Sequence, residues 1–209
     1  MVDGGAGAGD SRDQPLTGDL PMSDRLTHAF ALIDAANAAD PTLEDGTPAA
    51  LLYGQRMTQE QARLFPDAGD VLRIACRGQH VERWLLARAD YPAGKAGYLD
   101  WRREQARRHG VRIAGIMAQA GYAQADQARV GVLLRKEGIK RDAEVQALED
   151  VICFTFLRWY FAAFAAEHDA DKVLDIVTKT ARKMSAEART RALGEFALPD
   201  PLAAAFRAG

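Results

Sequence analysis

The chain has 209 residues, 48% of them hydrophobic and 27% charged, and a formal net charge of -2 at pH 7. These values are ordinary for one globular domain with a full-sized core, and they exclude a chain that is disordered throughout. The longest apolar run, residues 151–166, is interrupted by Arg158 and is shorter than the roughly 20 residues that span a bilayer. We therefore expect no membrane-spanning helix.

Residues 1–22 hold four Asp and one Arg and lack the apolar segment of a secretory signal, so we expect a disordered acidic tail. The chain has two cysteines, Cys76 and Cys153, and neither belongs to a CxxC motif. Neither a disulfide framework nor zinc-finger spacing is indicated. The expected location is the cytoplasm.

Charge is distributed unevenly along the chain. Residues 1–50 hold nine acids and two bases, whereas residues 73–112 hold ten Lys or Arg and four acids. A basic face on a mildly acidic protein suits a small phosphorylated or carboxylated ligand better than a nucleic acid, which usually binds a domain that is basic overall. RNA binding with a steep salt dependence is an alternative, and so are arginines that only solvate helix surfaces.

Helical periodicity dominates the chain, beginning with a helix over residues 23–39 that Ser23 can cap. Residues 41–69 are rich in loop-forming residues and predict one or two short helices, the second capped by Thr58. This stretch is long enough for a lid or a wrapping segment.

A further helix is predicted over about residues 70–88. Its apolar stripe is Val71, Ile74, Gly78, Val81 and Leu85, and a second stripe beside it is Arg73, Arg77, His80 and Trp84. Gly78 costs a helix about 1 kcal/mol, which predicts the close approach of another helix at this position.

Later helices are predicted over residues 99–120, 124–136 and 143–168, with another beginning near Asp169. The helix of about residues 143–168, capped by Asp142, is hydrophobic nearly all round from Val151 onward, which is typical of a central core helix. We predict a single all-α domain over residues 23–190, with six or seven helices packed around this one. Residues 191–209 are expected to be peripheral.

Two adjacent acids, Glu149 and Asp150, stand where the central helix enters the core. A buried carboxylate needs a cation, a metal ion or several hydrogen-bond donors. An ion pair with an arginine such as Arg77 or Arg83 is the structural interpretation. The catalytic interpretation makes Glu149, with Lys136, part of an active site.

His80, His109 and Asp150 can form a divalent-metal site if their helices are neighbours, with Mn, Fe, Mg or Zn as the ion. Their order resembles that of the HD-type metal phosphohydrolases, in which histidines and aspartates come from separate helices. The chain departs from that pattern because Gly110, not Asp, follows His109. The literal pair His168-Asp169 is explained by helix capping. A mixed zinc site that uses Cys76 and Cys153 is a further alternative.

An anionic ligand needs cationic and aromatic side chains, and the basic segment supplies them. No Walker loop, Rossmann glycine motif or GxSxG elbow occurs. Arginines can bind phosphate or carboxylate through two parallel hydrogen bonds. The predicted ligand-binding residues are Arg77, Gln79, Arg83, Trp84, Tyr98, Trp101 and Arg102.

The stretches LLYGQRMT, RGQHVERW, YPAGKAGYLDWR, LEDVICFTFL and KTARKMS, read together, resemble the family of unknown function DUF4202 over about residues 26–185. The resemblance implies no activity and no residue roles. It marks the following residues as motif positions: Arg77, Gln79, His80, Arg83, Trp84, Tyr91, Pro92, Tyr98, Trp101, Arg102, Lys136, Glu149 and Asp150. Two functional hypotheses remain. The first is a divalent-metal-dependent hydrolase acting on a phosphorylated small molecule or nucleotide, and the second is a non-catalytic anion-binding or regulatory protein with a buried Arg/His/Asp network.

Overall fold

The computed structural model describes residues 22–208, with side chains from Asp24 onward. The predicted acidic tail and the predicted cap Ser23 fall outside the described side chains. The helices are α1 (Met22–Asn37), α2 (Ala49–Leu64), α3 (Asp70–Arg77), α4 (Gly94–Gln119), α5 (Gln124–Arg135), α6 (Ala143–Thr155), α7 (Phe161–Glu167), α8 (Ala170–Lys183), α9 (Ala186–Glu195) and α10 (Asp200–Ala208). A short antiparallel hairpin pairs β1 (Leu43–Glu44) with β2 (Thr47–Pro48).

This architecture confirms the prediction of an all-α protein, although the helices of the described range outnumber the predicted six or seven. Within residues 22–208, no helix combines the length and the apolar character that crossing a bilayer requires. The cytoplasmic location stays a prediction.

The predicted central helix is present as α6, which continues through a π-helical turn, Phe156–Tyr160, into α7. The Asp142 carboxylate caps it as predicted, accepting the backbone N–H groups of Glu144 and Val145 at 3.0 and 3.2 Å. The predicted extent of burial is wrong, because α7 contains no buried residue. Leu157 is the last buried residue of the continuous helix, and beyond it Phe161, Phe164 and Ala165 are only partly buried against the second core.

The central helix links two hydrophobic cores. The first core gathers side chains from α1 to α6, and the second gathers the end of α6 with α8, α9 and α10. The predicted domain limit at residue 190 falls inside α9, and residues 191–208 are not peripheral. The reason is the apolar face of α10, which buries Leu202 and Phe206 in the second core.

Helix α2 replaces the loop-rich stretch that the sequence predicts. Thr58 lies in its interior and donates a hydrogen bond to the Gly54 carbonyl at 2.9 Å, so it is not a cap. Gly54 faces the end of α3, where an added Cβ would lie 2.7 Å from the Arg77 carbonyl oxygen. Residues 49–64 consist mostly of strong helix formers, and the close packing between α2 and α3 explains the one weak position, Gly54.

Helix α3 is much shorter than the predicted helix over residues 70–88. It ends at Arg77, and Gly78 is its C-cap. The close approach predicted at Gly78 is confirmed, since a Cβ there would overlap the Ile113 side chain of α4. The chain then turns, and Glu82 adopts a left-handed φ of 51° while its N–H donates to the Asn37 side chain at 3.1 Å. His80 therefore lies in a loop and not on a helical stripe.

Candidate functional site

Two cavities adjoin the loop that follows α3. The first cavity, of about 720 Å³, lies between α2, this loop, the start of α4, the central helix and α8. The second cavity, of about 750 Å³, lies between the loop, α4 and the end of α5. Four residues line both cavities, and we call them the shared wall: His80, Arg83, Arg102 and Lys136.

Helix α4 holds the loop in place through two buried side chains. The Gln105 amide donates to the carbonyls of Arg83 and Leu86 at 2.8 and 3.2 Å. The Trp101 indole N–H donates to the same Leu86 carbonyl at 3.0 Å. The backbone that carries the shared wall is thereby fixed to a long helix, as a preformed site requires.

His80 stacks on Tyr53 of α2, with ring centroids 3.9 Å apart and planes inclined by 16°. Burial, and next the positive charge of Arg83, holds the pKa of His80 well below its usual value. The imidazole is therefore neutral at pH 7 and can donate or accept a hydrogen bond inside the site.

Arg83 and Arg102 have no carboxylate partner among the described residues. The Arg83 guanidinium lies over the Trp101 ring at 4.6 Å, and burial lowers its pKa. Arg102 lies over Tyr98 at 5.8 Å. Most other basic side chains of residues 73–112 bind carboxylates or backbone carbonyls, namely Arg73, Arg77, Arg88, Arg103, Arg107, Arg108 and Arg112.

Lys136 and Glu149, the two predicted catalytic residues, are in contact. The Lys136 Nζ lies 2.5 Å from Glu149 Oε2, and Lys183 Nζ of α8 lies 3.9 Å from Oε1. Glu149 is only 2% exposed and lines the first cavity. Lys136 is the C-cap of α5 and has a left-handed φ of 58°, a common way for a helix to end but an uncommon one for a residue other than glycine.

The two cavities differ in the side chains that complete them. The first is largely aromatic and aliphatic beyond the shared wall, with Tyr53, Trp84, Ile152, Phe156 and Tyr160 among its lining residues. The second is polar, and its lining includes Gln79, Tyr98 and His109. An apolar ligand part therefore suits the first cavity, and a hydrogen-bonding part suits the second.

Two buried polar atoms near the second cavity have no hydrogen-bond partner among the described residues: Gln79 Oε1 and His109 Nε2. Their side chains belong to residues that are 8% and 4% exposed, respectively. Burial lowers the pKa of His109 to about 3, so its ring is neutral. Each unsatisfied buried atom costs about 1–3 kcal/mol.

Arg77 was predicted to bind the ligand, but it lines neither cavity. Its guanidinium is bound to Asp34 of α1, with Nε and Oδ1 2.7 Å apart, and it also donates to Thr58 at 3.3 Å. The side chain departs from the predicted stripe because α3 ends at this residue. Arg77 therefore ties α3 to α1 and α2.

Asp150 was predicted to be a metal ligand, yet it too lies outside both cavities. Its Oδ1 accepts hydrogen bonds from the Gln146 amide at 2.9 Å and the Ser185 backbone N–H at 2.8 Å. Burial raises the pKa of this carboxyl group. The hydrogen bonds connect α6 to the start of α9.

The predicted metal site is only partly assembled. His80 and His109 are neighbours, with ring centroids 6.3 Å apart, but Asp150 does not join them. No cluster of three or more His, Cys, Asp or Glu side chains in the described part of the chain is arranged to hold a metal ion. Cys76 and Cys153 are buried free thiols, and Asp169 caps α8 as predicted.

Several residues of the site were not predicted, among them Tyr53, Gln105 and Lys183. Tyr53 and Lys183 stand inside the stretches LLYGQRMT and KTARKMS, which already marked family positions. The assignment of residues 41–69 to loops hid the role of Tyr53. Gln105 carried no signal, because its function depends on a loop that the sequence predicts as helix.

Comparison with known proteins gives one match. A family model described as a domain of unknown function, DUF4202, covers residues 27–205. No curated protein and no solved structure matches the chain. Since the family model spans most of the sequence, the chain belongs to the DUF4202 family.

Proposed function

We propose that the chain binds a phosphorylated small molecule with an apolar or aromatic part, such as a nucleotide. The observation that carries the proposal is Arg83, a largely buried cation with no carboxylate partner in the described residues. A buried charge is costly unless a counter-ion compensates it. A ligand phosphate on the shared wall would supply that counter-ion.

The surroundings of Arg83 suit a phosphate. Its guanidinium carbon lies 4.6 Å from the centre of the Trp101 ring, a cation–π contact that uses the face of the group. The N–H groups make no hydrogen bond to the described residues, so they are available for two parallel hydrogen bonds to a phosphate. Arg102 lines the same wall and adds positive charge, whereas the charge of Lys136 is already paired with Glu149. The neutral His80 imidazole contributes a hydrogen bond without adding a buried charge.

The body of the ligand would occupy the first cavity. Its volume of about 720 Å³ falls within the range of roughly 300–1,000 Å³ that is usual for small-molecule sites. Trp84 and Phe156 offer aromatic surface, and Ile152 offers aliphatic surface. A planar aromatic group such as a nucleobase fits this lining.

Isothermal titration with ADP tests the proposal. We expect the wild-type protein to bind ADP and Arg83→Ala to bind it at least about tenfold more weakly, the loss expected for charged hydrogen bonds. Arg73→Ala is the matched control, because Arg73 donates to the Pro66 carbonyl and lines neither cavity. Absence of ADP binding by the wild type, or equal binding by Arg83→Ala, contradicts the proposal.

Metal-dependent hydrolysis of the bound phosphate is the second candidate. The neighbouring imidazoles of His80 and His109 favour it, as does the buried Glu149 carboxylate on the first cavity. The position of Asp150 weighs against the three-ligand arrangement that the sequence suggested.

Metal analysis of the purified protein, together with Mn²⁺ titration of wild type and His80→Ala, decides this candidate. Bound metal in the wild type and weaker Mn²⁺ binding by the variant support it. If the purified protein contains no metal and His80→Ala leaves Mn²⁺ binding unchanged, the proposal of metal-dependent hydrolysis is contradicted.

A further inference from the structure

The phosphate site has space on both of its sides. His80, Arg83, Arg102 and Lys136 line the first cavity and also the second, so the shared wall stands between two spaces of similar size. A ligand whose phosphate is terminal would fill one of these spaces. A ligand whose phosphate is internal, with a substituent on either side, would fill both.

The two unsatisfied atoms indicate what belongs in the second cavity. Gln79 Oε1 is an acceptor by its chemistry. His109 is neutral, so one of its ring nitrogens donates a hydrogen bond and the other accepts one. The tautomer decides which of these two roles the unpartnered Nε2 takes. Gln79 Oε1 therefore needs a donor, and His109 Nε2 needs a group that can donate or accept, as a hydroxyl can.

The charge of the second cavity restricts what the partner groups can be. Asp100, Glu104 and Glu137 line it, but each of these carboxylates pairs with an arginine. Arg83 and Arg102 have no such partner among the described residues, and they would repel ammonium groups. Hydroxyl groups donate hydrogen bonds without carrying charge, and a sugar or another polyol supplies several of them close together. The second cavity is thus chemically matched to a hydroxyl-rich group.

From these observations we propose that the ligand is a phosphate diester or pyrophosphate ester, with an aromatic part in the first cavity and a polyhydroxylated part in the second. Gln79 and His109 bind hydroxyl groups of the second part, and the shared wall binds the linking phosphates. This inference rests on the proposed function and names its substrate class.

The pair ADP and ADP-ribose provides the test, because the two molecules differ only by the terminal ribose. ADP-ribose also carries less negative charge, so tighter binding cannot come from the attraction of the cations. We expect the wild-type protein to bind ADP-ribose about tenfold more tightly than ADP, as two additional hydrogen bonds would give. Isothermal titration measures both affinities under one buffer condition.

Variants then assign the preference to residues. His109→Phe and Gln79→Leu should each reduce the ratio of the two affinities to about threefold or less, because each removes one hydrogen-bonding atom. Val111→Ala is the matched control, since Val111 lies on the same helix and is 62% exposed. Circular dichroism melting confirms that each variant is folded, and His109→Asn replaces His109→Phe if that variant is not.

The outcomes separate the two proposals. Binding of ADP with no preference for ADP-ribose overturns this inference and leaves the proposed function standing. A preference for ADP-ribose over ADP that remains unchanged in both His109→Phe and Gln79→Leu also overturns this inference. If neither compound binds, the proposed function itself fails and this inference fails with it.

Discussion

Arg83 is oriented before any ligand arrives. Trp101 lies 4.6 Å beneath its guanidinium, and Gln105 holds its backbone carbonyl at 2.8 Å. Both supporting residues belong to α4, so the arginine is fixed to a rigid element although it stands in a loop. A side chain ordered in advance loses less conformational entropy on binding, which favours affinity for the phosphate.

At the same scale, His109 makes the stability of the protein depend on pH. Burial lowers its pKa in the folded state to about 3, whereas the unfolded chain has the ordinary value of about 6.5. Between pH 6.5 and 3 the His109 side chain is therefore protonated in the unfolded chain but not in the folded protein. Proton binding then stabilises the unfolded state relative to the folded state. The free energy of unfolding should fall by about 1 kcal/mol per pH unit between pH 6.5 and 3 because of this residue.

Urea denaturation at a series of pH values measures this dependence, with His109→Phe as the comparison. The variant lacks the titrating group, so its free energy of unfolding should decline less steeply with acidification. Parallel pH profiles for wild type and variant would show that His109 is protonated as readily in the folded protein as in the unfolded one.

Among the elements, the loop after α3 is where sequence and structure differ most. The apolar period continues from Val71 to Leu85, and only Gly78 interrupts it, so the pattern predicts an uninterrupted helix. Gly78 is itself a local stop signal for α3, and distant parts of the chain fix the turn that follows it: Ile113 packs against Gly78, and Asn37 accepts the N–H of Glu82. Contacts between residues this far apart in sequence do not appear in a local pattern.

The Gly78 contact gives a prediction about stability. Gly78→Ala would force a Cβ into the Ile113 side chain, and overpacking of this kind costs about 1–3 kcal/mol. Gly115→Ala is the matched control, because Gly115 lies inside α4 and an added Cβ there meets nothing within 4 Å. The control should be neutral or stabilised by up to about 1 kcal/mol. Thermal melting of both variants tests the pair, and equal stability would contradict the close approach.

In the molecule as a whole, the first cavity lies beside the central helix, where the two hydrophobic cores meet. Lining residues come from α6, including Glu149 and Ile152, and from α8, including Ile176. The sequence could predict the central helix, because its apolar length is a local property. It could also locate an acidic pair at the entrance to the core.

The sequence could not predict which residues bind Glu149 and Asp150. Glu149 contacts Lys136 and Lys183, while Asp150 binds the backbone of Ser185. The sequence contains many basic residues, and the choice among them depends on how the helices pack. Arg77 illustrates the same limit, since it pairs with Asp34 of α1 and not with the site.

A crystal structure of the protein with ADP tests most directly whether the shared wall binds the phosphate of a ligand. We expect phosphate oxygens about 3 Å from the guanidinium nitrogens of Arg83, with the adenine in the first cavity. ADP bound elsewhere, or a phosphate that does not contact Arg83, would contradict the proposed function.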